Sequence, residues 1–162
     1  MTKTVSKEEL ESIVNKHTLA STGLGLIPLP LADLAGLMTI QLNMVRKLAE
    51  LYDVPFIKEA VKKLLSTLLG AFLLGNSLPF LASAVKIIPG LGQAIGAVAM
   101  PLACGASTYA AGKVFILHFA SGGNLLTFDP ARVKAYYKEM FEEGKTVVAE
   151  MKYKEKIKRG KS

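Results

Sequence analysis

The sequence predicts an all-α fold, a compact helical bundle of about five to six helices with a glycine-rich apolar hairpin at its centre. Three observations carry that expectation. Apolar residues recur at three- and four-residue spacing in both arms of the chain, the signature of amphipathic helices. No useful stretch shows the two-residue alternation of a half-buried strand. The middle is an almost uncharged block punctuated by glycine and proline. The 162 residues fit one domain, with amphipathic helices at 1–63, an apolar helical block at 64–128, and a basic amphipathic C-terminal helix and tail at 129–162.

Ser6 followed by Glu9 has the form of a capping box, and Leu10, Ile13, Val14 and His17 then place a first helix at about Lys7 to Ala20. The stretch "GLGLIPLP" (Gly23 to Pro30) breaks it. A second helix begins near Leu31, with Leu34, Met38, Leu42, Val45, Leu48 and Tyr52 as its apolar stripe. Its first half, to Ile40, is apolar almost all round, which implies burial on several sides. Asp53 and Pro55 give the stop and restart signals, an N-cap candidate followed by proline near the first turn, for a third helix that carries Ile57, Val61, Leu64 and Leu68.

Leu64 to Val85 is uncharged, Lys86 follows, and Ile87 to Gly112 is uncharged again before Lys113. Pro79, Pro89 and Pro101 are expected to interrupt these runs. "SGGN" (Ser121 to Asn124) marks a helix stop. Asp129 and Pro130 open a last helix, whose Val133, Tyr137, Met140, Gly144, Val147 and Met151 step by four and three like a coiled-coil seam.

Charge is unevenly placed: net +1 over residues 1–63, +2 over 64–128 and +4 over 129–162. A single cysteine, Cys104, excludes a disulfide scaffold and sits in an apolar run as a small core residue would. Nucleotide-loop readings fail on spacing. Gly90, Gly92 and Gly96 lack a preceding strand and an acid at the right distance, and "STYAAGKV" has Ser107 and Val114 where a Walker loop needs glycine and Ser/Thr. His17 and His118 have no carboxylate at helical spacing to orient them, and metal and nucleophile motifs are absent from the sequence. No catalytic, cofactor-binding or metal-binding residues are therefore expected. Asp33 is the odd carboxylate of "PLPLADLAGL", suited to the first turn of a helix; an enzyme using Asp33 and His118 is the least favoured reading.

A helix needs about twenty apolar residues to cross a ~30 Å hydrocarbon layer, and 64–85 and 87–112 each have that length. As a hairpin they would leave both charged arms on the positive, cytoplasmic side, with Lys86 at the far interface. Gly92 with Gly96, continued by Ala103, Cys104, Ser107, Thr108, Ala111 and Gly112, forms a thin face along which another backbone can approach. Lys152, Lys154, Lys156, Lys158 and Arg159 are candidates for contact with an anionic leaflet. Nucleic acid is not an expected partner, because the basic tail interleaves no aromatic beyond Tyr153.

Two blocks carry a family resemblance. One holds Ile27, Pro28, Pro30, Ala32, Asp33, Leu37 and Gln41; the other holds Ile88 to Gly90, Thr108, Tyr109, Gly112, Phe115, His118, Phe119, Gly122 and Gly123. Together they resemble the GTPase-associated helical domain of the YcjF-type family of unknown function, over about Ala20 to Gly144. The resemblance implies an α-helical accessory domain, often membrane-associated, that works beside a GTP-binding domain; it implies no catalytic residue. Asp33, Gln41, Gly92, Gly96, Thr108, Gly112 and His118 become candidate packing or interaction positions. The expectation is a non-enzymatic, membrane-associated accessory protein with a GTPase partner and no cofactor. The alternative is a soluble cytoplasmic adaptor, or a module that assembles as a homo-oligomer.

Overall fold

The structure, a computed structural model, describes residues 4–25, 30–76 and 91–161, with side chains described for 4–25, 34–71 and 100–161. Among them are five helices and no strand: α1 (Lys7–Leu24), α2 (Pro30–Leu51), α3 (Lys58–Asn76), α4 (Leu91–Ala120) and α5 (Pro130–Gly160). The expected all-α bundle is therefore observed. The turn of the expected glycine-rich hairpin, with Lys86, lies outside the described residues.

The helix ends follow from local chemistry, not always as the sequence suggests. Ser6 stands at the N-cap of α1, but its side chain makes no capping hydrogen bond, so the expected capping box is not formed. Asp53 does not start α3; it ends α2. Its φ of 54° is left-handed, the Asp53 N–H donates to the Glu50 carbonyl at 3.3 Å, and Val54 N–H donates to Ala49 at 2.8 Å. This is the paired bonding of a Schellman stop, in which an aspartate can stand where glycine is usual. The same motif closes α4: Gly122, at φ 83°, donates to Phe119 at 3.0 Å, and Gly123 donates to His118 at 3.0 Å. The N-cap at α5 forms as the sequence suggests. The Asp129 carboxylate accepts from Ala131 N–H at 3.0 Å, and Pro130 takes the first helical position, where no N–H is needed.

α4 is the central element, packed most extensively along α5 and α1 and also touching α2 and α3. It runs unbroken through Pro101, so that proline gives up one backbone bond without dividing the helix. Val14, Met44, Leu48, Val61, Leu65, Val114 and Phe115 lie wholly or almost wholly inside, each worth about 1.5–3 kcal/mol of transfer free energy. Phe115 stacks on Phe128 at 4.8 Å between ring centroids. Phe119 tilts against both Phe115 and Tyr52, which ties the ends of α2 and α4 together.

Two faces are rotated from expectation. Among the described side chains of α2 the buried positions are Leu37, Gln41, Met44, Val45, Leu48 and Ala49, while Leu34 is 52% exposed; Ala35 and Thr39 are exposed too, so the stretch from Leu34 to Ile40 is not buried on several sides. The stripe turned because a glutamine occupies the centre of the true inward face. On α5 the buried line is Tyr137, Met140, Phe141, Gly144 and Val148. That line keeps the 3.6-residue period of a straight helix, so Val147 and Met151 drift to half-burial.

The thin side of α4 serves packing within the chain. A Cβ on Gly112 would come within 2.8 Å of Val14 Cγ2 and 3.2 Å of Met44 Sδ, and one on Gly144 of α5 would come within 3.0 Å of the Ala106 Cα. Glycine at these positions sets how closely α1 and α5 can approach α4.

Candidate functional site

At the centre of the bundle a polar network joins four helices. Ser21 of α1 donates its hydroxyl proton to the His17 carbonyl at 2.9 Å. In its 2.7 Å contact with Thr108 of α4, Ser21 must therefore accept, and Thr108 donates. Thr108 Oγ1 in turn accepts from the Gln41 amide of α2 at 3.2 Å. The Gln41 amide also donates to Ser107 Oγ at 2.9 Å, and that oxygen receives the phenol proton of Tyr137 from α5 at 3.3 Å. Ser21 and Thr108 have no exposure, and Ser107 and Gln41 have 2% each. Buried groups of this kind cost free energy unless bonded, so the network defines one register for four helices. Beside it Thr18, also fully buried, has an Oγ1 with no hydrogen-bond partner among the described residues.

Protonation states at this centre are set by burial. Tyr137 is pushed up to about 12 by burial, against which the Ser107 bond pulls down; it stays a neutral phenol that can donate. For His17, burial lowers the pKa, the bond to the Ile13 carbonyl opposes this, and the charge of Lys47 lowers it further. Nδ1–H donates to Ile13 at 2.7 Å, which leaves Nε2 to accept from the Asn43 amide at 3.3 Å. A neutral imidazole satisfies both contacts.

The network bonds hydroxyls to amides, carbonyls and one phenol. That arrangement suits helix registration; it does not present a nucleophile with a base. Among the described residues no three His, Cys, Asp or Glu side chains come together as metal ligands would. Cys104 is buried.

Of the sequence candidates, the structure places Gln41 and Thr108 in contact inside this network, and Gly112 one turn further along α4 against Val14. His118 lies apart, at the end of α4. Its Nε2 is 2.8 Å from the Asn124 carbonyl, and its ring meets Phe128 edge-on at 4.8 Å. Asn124 Oδ1 accepts from the Leu126 and Thr127 N–H groups, so His118 pins a loop already folded on an asparagine turn. Asp33 lies in the first turns of α2 and Gly92 and Gly96 in those of α4; their surroundings are outside the described residues. Lys152 is half-buried, and Lys154, Lys156, Lys158 and Arg159 are exposed along the end of α5. That end is helical through Gly160 and carries Tyr153, 67% exposed, and Ile157, 41% exposed.

Sequence reasoning overlooked Ser21, Thr18 and the partnership of Tyr109 with Glu143, a phenol-to-carboxylate hydrogen bond of 2.5 Å that clasps α4 to α5. The available signal was the hydroxyl pairs Ser21–Thr22 and Ser107–Thr108, set among apolar neighbours at helical spacing.

The family described as a domain of unknown function, DUF697, matches residues 1–146. Magnetosome membrane protein 22 of Magnetospirillum gryphiswaldense is 36% identical over 143 residues, 88% of this chain and 73% of that protein. No solved structure matches the chain. A match over residues 1–146, which takes in every residue of the polar network, makes this chain a member of the DUF697 family.

Proposed function

We propose that this protein is a non-enzymatic, membrane-associated helical accessory protein. The observation that carries the reading is its 36% identity, over 88% of its length, to a protein named for a membrane. The near-absence of charge from 64 to 112 supports it.

Association need not run through the centre of α4. Met100–Ala120 is long and apolar enough to cross a bilayer, but 67% of that window is buried inside the bundle, where α1 and α5 already cover it. Membrane contact is assigned instead to the apolar run that precedes Met100, from its sequence, and to the basic end of α5. There Lys152, Lys154, Lys156, Lys158 and Arg159 would meet anionic headgroups while Tyr153 and Ile157 reach the interface. Both arms would then share the cytoplasmic side. The resemblance of the two signature blocks to GTPase-associated helical domains supports a GTP-binding protein as the partner.

The burial of Met100–Ala120 favours a second reading, a soluble adaptor or self-assembling module whose apolar block is wholly internal. Fractionation separates the two. The membrane reading expects the full chain in carbonate-washed membranes; recovery of all of it in the high-speed supernatant without detergent would reject that reading. Co-purification of a GTP-binding protein with the detergent-extracted chain tests the partner.

A further inference from the structure

A groove of about 570 Å³ lies between α3 and α5, with Tyr137 of the polar network among the residues that line it. Its lining is mostly apolar, with Leu68 and Ala71 from α3 and Pro130, Ala131 and Ala135 around the start of α5, joined by Thr67, Tyr137, Lys134 and Lys138. The two lysines stand four residues apart, one helical turn, so their ammonium groups are on the same side of α5. Both are exposed, and the ion pairs on the described part of α5, Arg132–Asp129 and Lys145–Glu142, involve neither of them.

This volume is within the range of small-molecule sites, which are mostly apolar with a few placed polar groups. Here the placed groups are two cations beside a channel that follows about two turns of α5, from Pro130 to Lys138, or roughly 12 Å. An acidic peptide would satisfy the charge but waste the apolar walls. A neutral hydrocarbon would fill the walls and leave the cations without a role. An unbranched chain that ends in a carboxylate matches both features. We propose that the groove between α3 and α5 binds a free fatty acid, with the acyl chain along Leu68, Ala71, Ala131 and Ala135 and the carboxylate held between Lys134 and Lys138. The site does not depend on the membrane reading, since a soluble bundle would carry it equally.

Titration calorimetry on the purified full chain tests this, with dodecanoate, dodecanol and acetate each kept below micelle formation. The expected result is one dodecanoate per chain, binding of dodecanol roughly tenfold weaker, and no detectable heat from acetate. Lys134→Gln combined with Lys138→Gln should weaken dodecanoate roughly tenfold and leave dodecanol unchanged. Ala135→Phe, on an exposed position, should block both chains while circular dichroism stays that of the parent. Equal affinity for dodecanoate and dodecanol would overturn the proposal. So would binding at several equivalents that ignores Ala135→Phe, or a dimer whose interface covers the groove and excludes ligand.

Discussion

Thr18 and Thr108 invite the same substitution with opposite results. Both side chains are fully buried, and valine has nearly the shape of threonine, so Thr→Val changes the hydroxyl and little else. At position 108 the hydroxyl gives a proton to Ser21 at 2.7 Å and accepts one from Gln41 at 3.2 Å. At about 0.5–1.5 kcal/mol net for each bond, Thr108→Val should cost about 1–3 kcal/mol. Gln41 still has Ser107, and Ser21 still donates to the His17 carbonyl, so no further buried group is stranded. At position 18 the hydroxyl has no partner among the described residues, and removing it relieves a desolvation cost of about 1–3 kcal/mol at most. Thr18→Val should therefore be neutral or stabilising. For a domain of this size 1 kcal/mol moves Tm by roughly 2–4 °C, so Thr108→Val should melt several degrees below the parent and Thr18→Val at or above it. Thermal and urea unfolding followed by circular dichroism, in one buffer for all variants, read this directly. If the two variants fall by the same amount, the assignment of the network is wrong.

Other perturbations probe different parts of the bundle. Gln41→Leu keeps the volume and removes both amide bonds; in a double-mutant cycle with Thr108→Val it should show a coupling of about 0.5–1.5 kcal/mol, and additivity would deny the contact. Gly144→Leu drives a side chain toward the Ala106 backbone and should cost at least about 1–3 kcal/mol by overpacking, with Gly144→Ala intermediate. His17 has a folded pKa lowered from 6.5, so the unfolded chain takes up the proton first. Its contribution is intact above pH 6.5 and lost as the pH falls below it toward the folded value. His17→Gln should flatten the pH dependence of urea stability in that window, and an unchanged slope would place the titration elsewhere. Replacing Lys154, Lys156 and Lys158 with glutamine should reduce sedimentation with anionic vesicles roughly a hundredfold, at about 1 kcal/mol per charge. An unchanged vesicle-bound fraction would remove the end of α5 from the membrane account.

The parts of this fold legible in the sequence are those fixed by local chemistry. Asp129 and Pro130 announce the start of α5 because a cap bond and a missing N–H are decided within three residues. Ser121 to Asn124 announce the end of α4 because only a residue tolerant of positive φ can stand where Gly122 does. Asp53 was legible as a stop but not as the kind of stop it is, because the same residue type caps a helix start and can also adopt the left-handed end; the choice depended on Val54, whose N–H reaches back to Ala49. The stripe of α2 misled for a deeper reason. Apolar periodicity counts only apolar positions, and the inward face of α2 includes Gln41, whose amide protons are accepted by Ser107 and Thr108 more than sixty residues away. Its burial is thus a property of the pair of helices, invisible in either segment alone. The two blocks of the chain meet at this point, Gln41 from one and Thr108 from the other, and each residue supplies part of the hydrogen bonding that the other needs to stay buried.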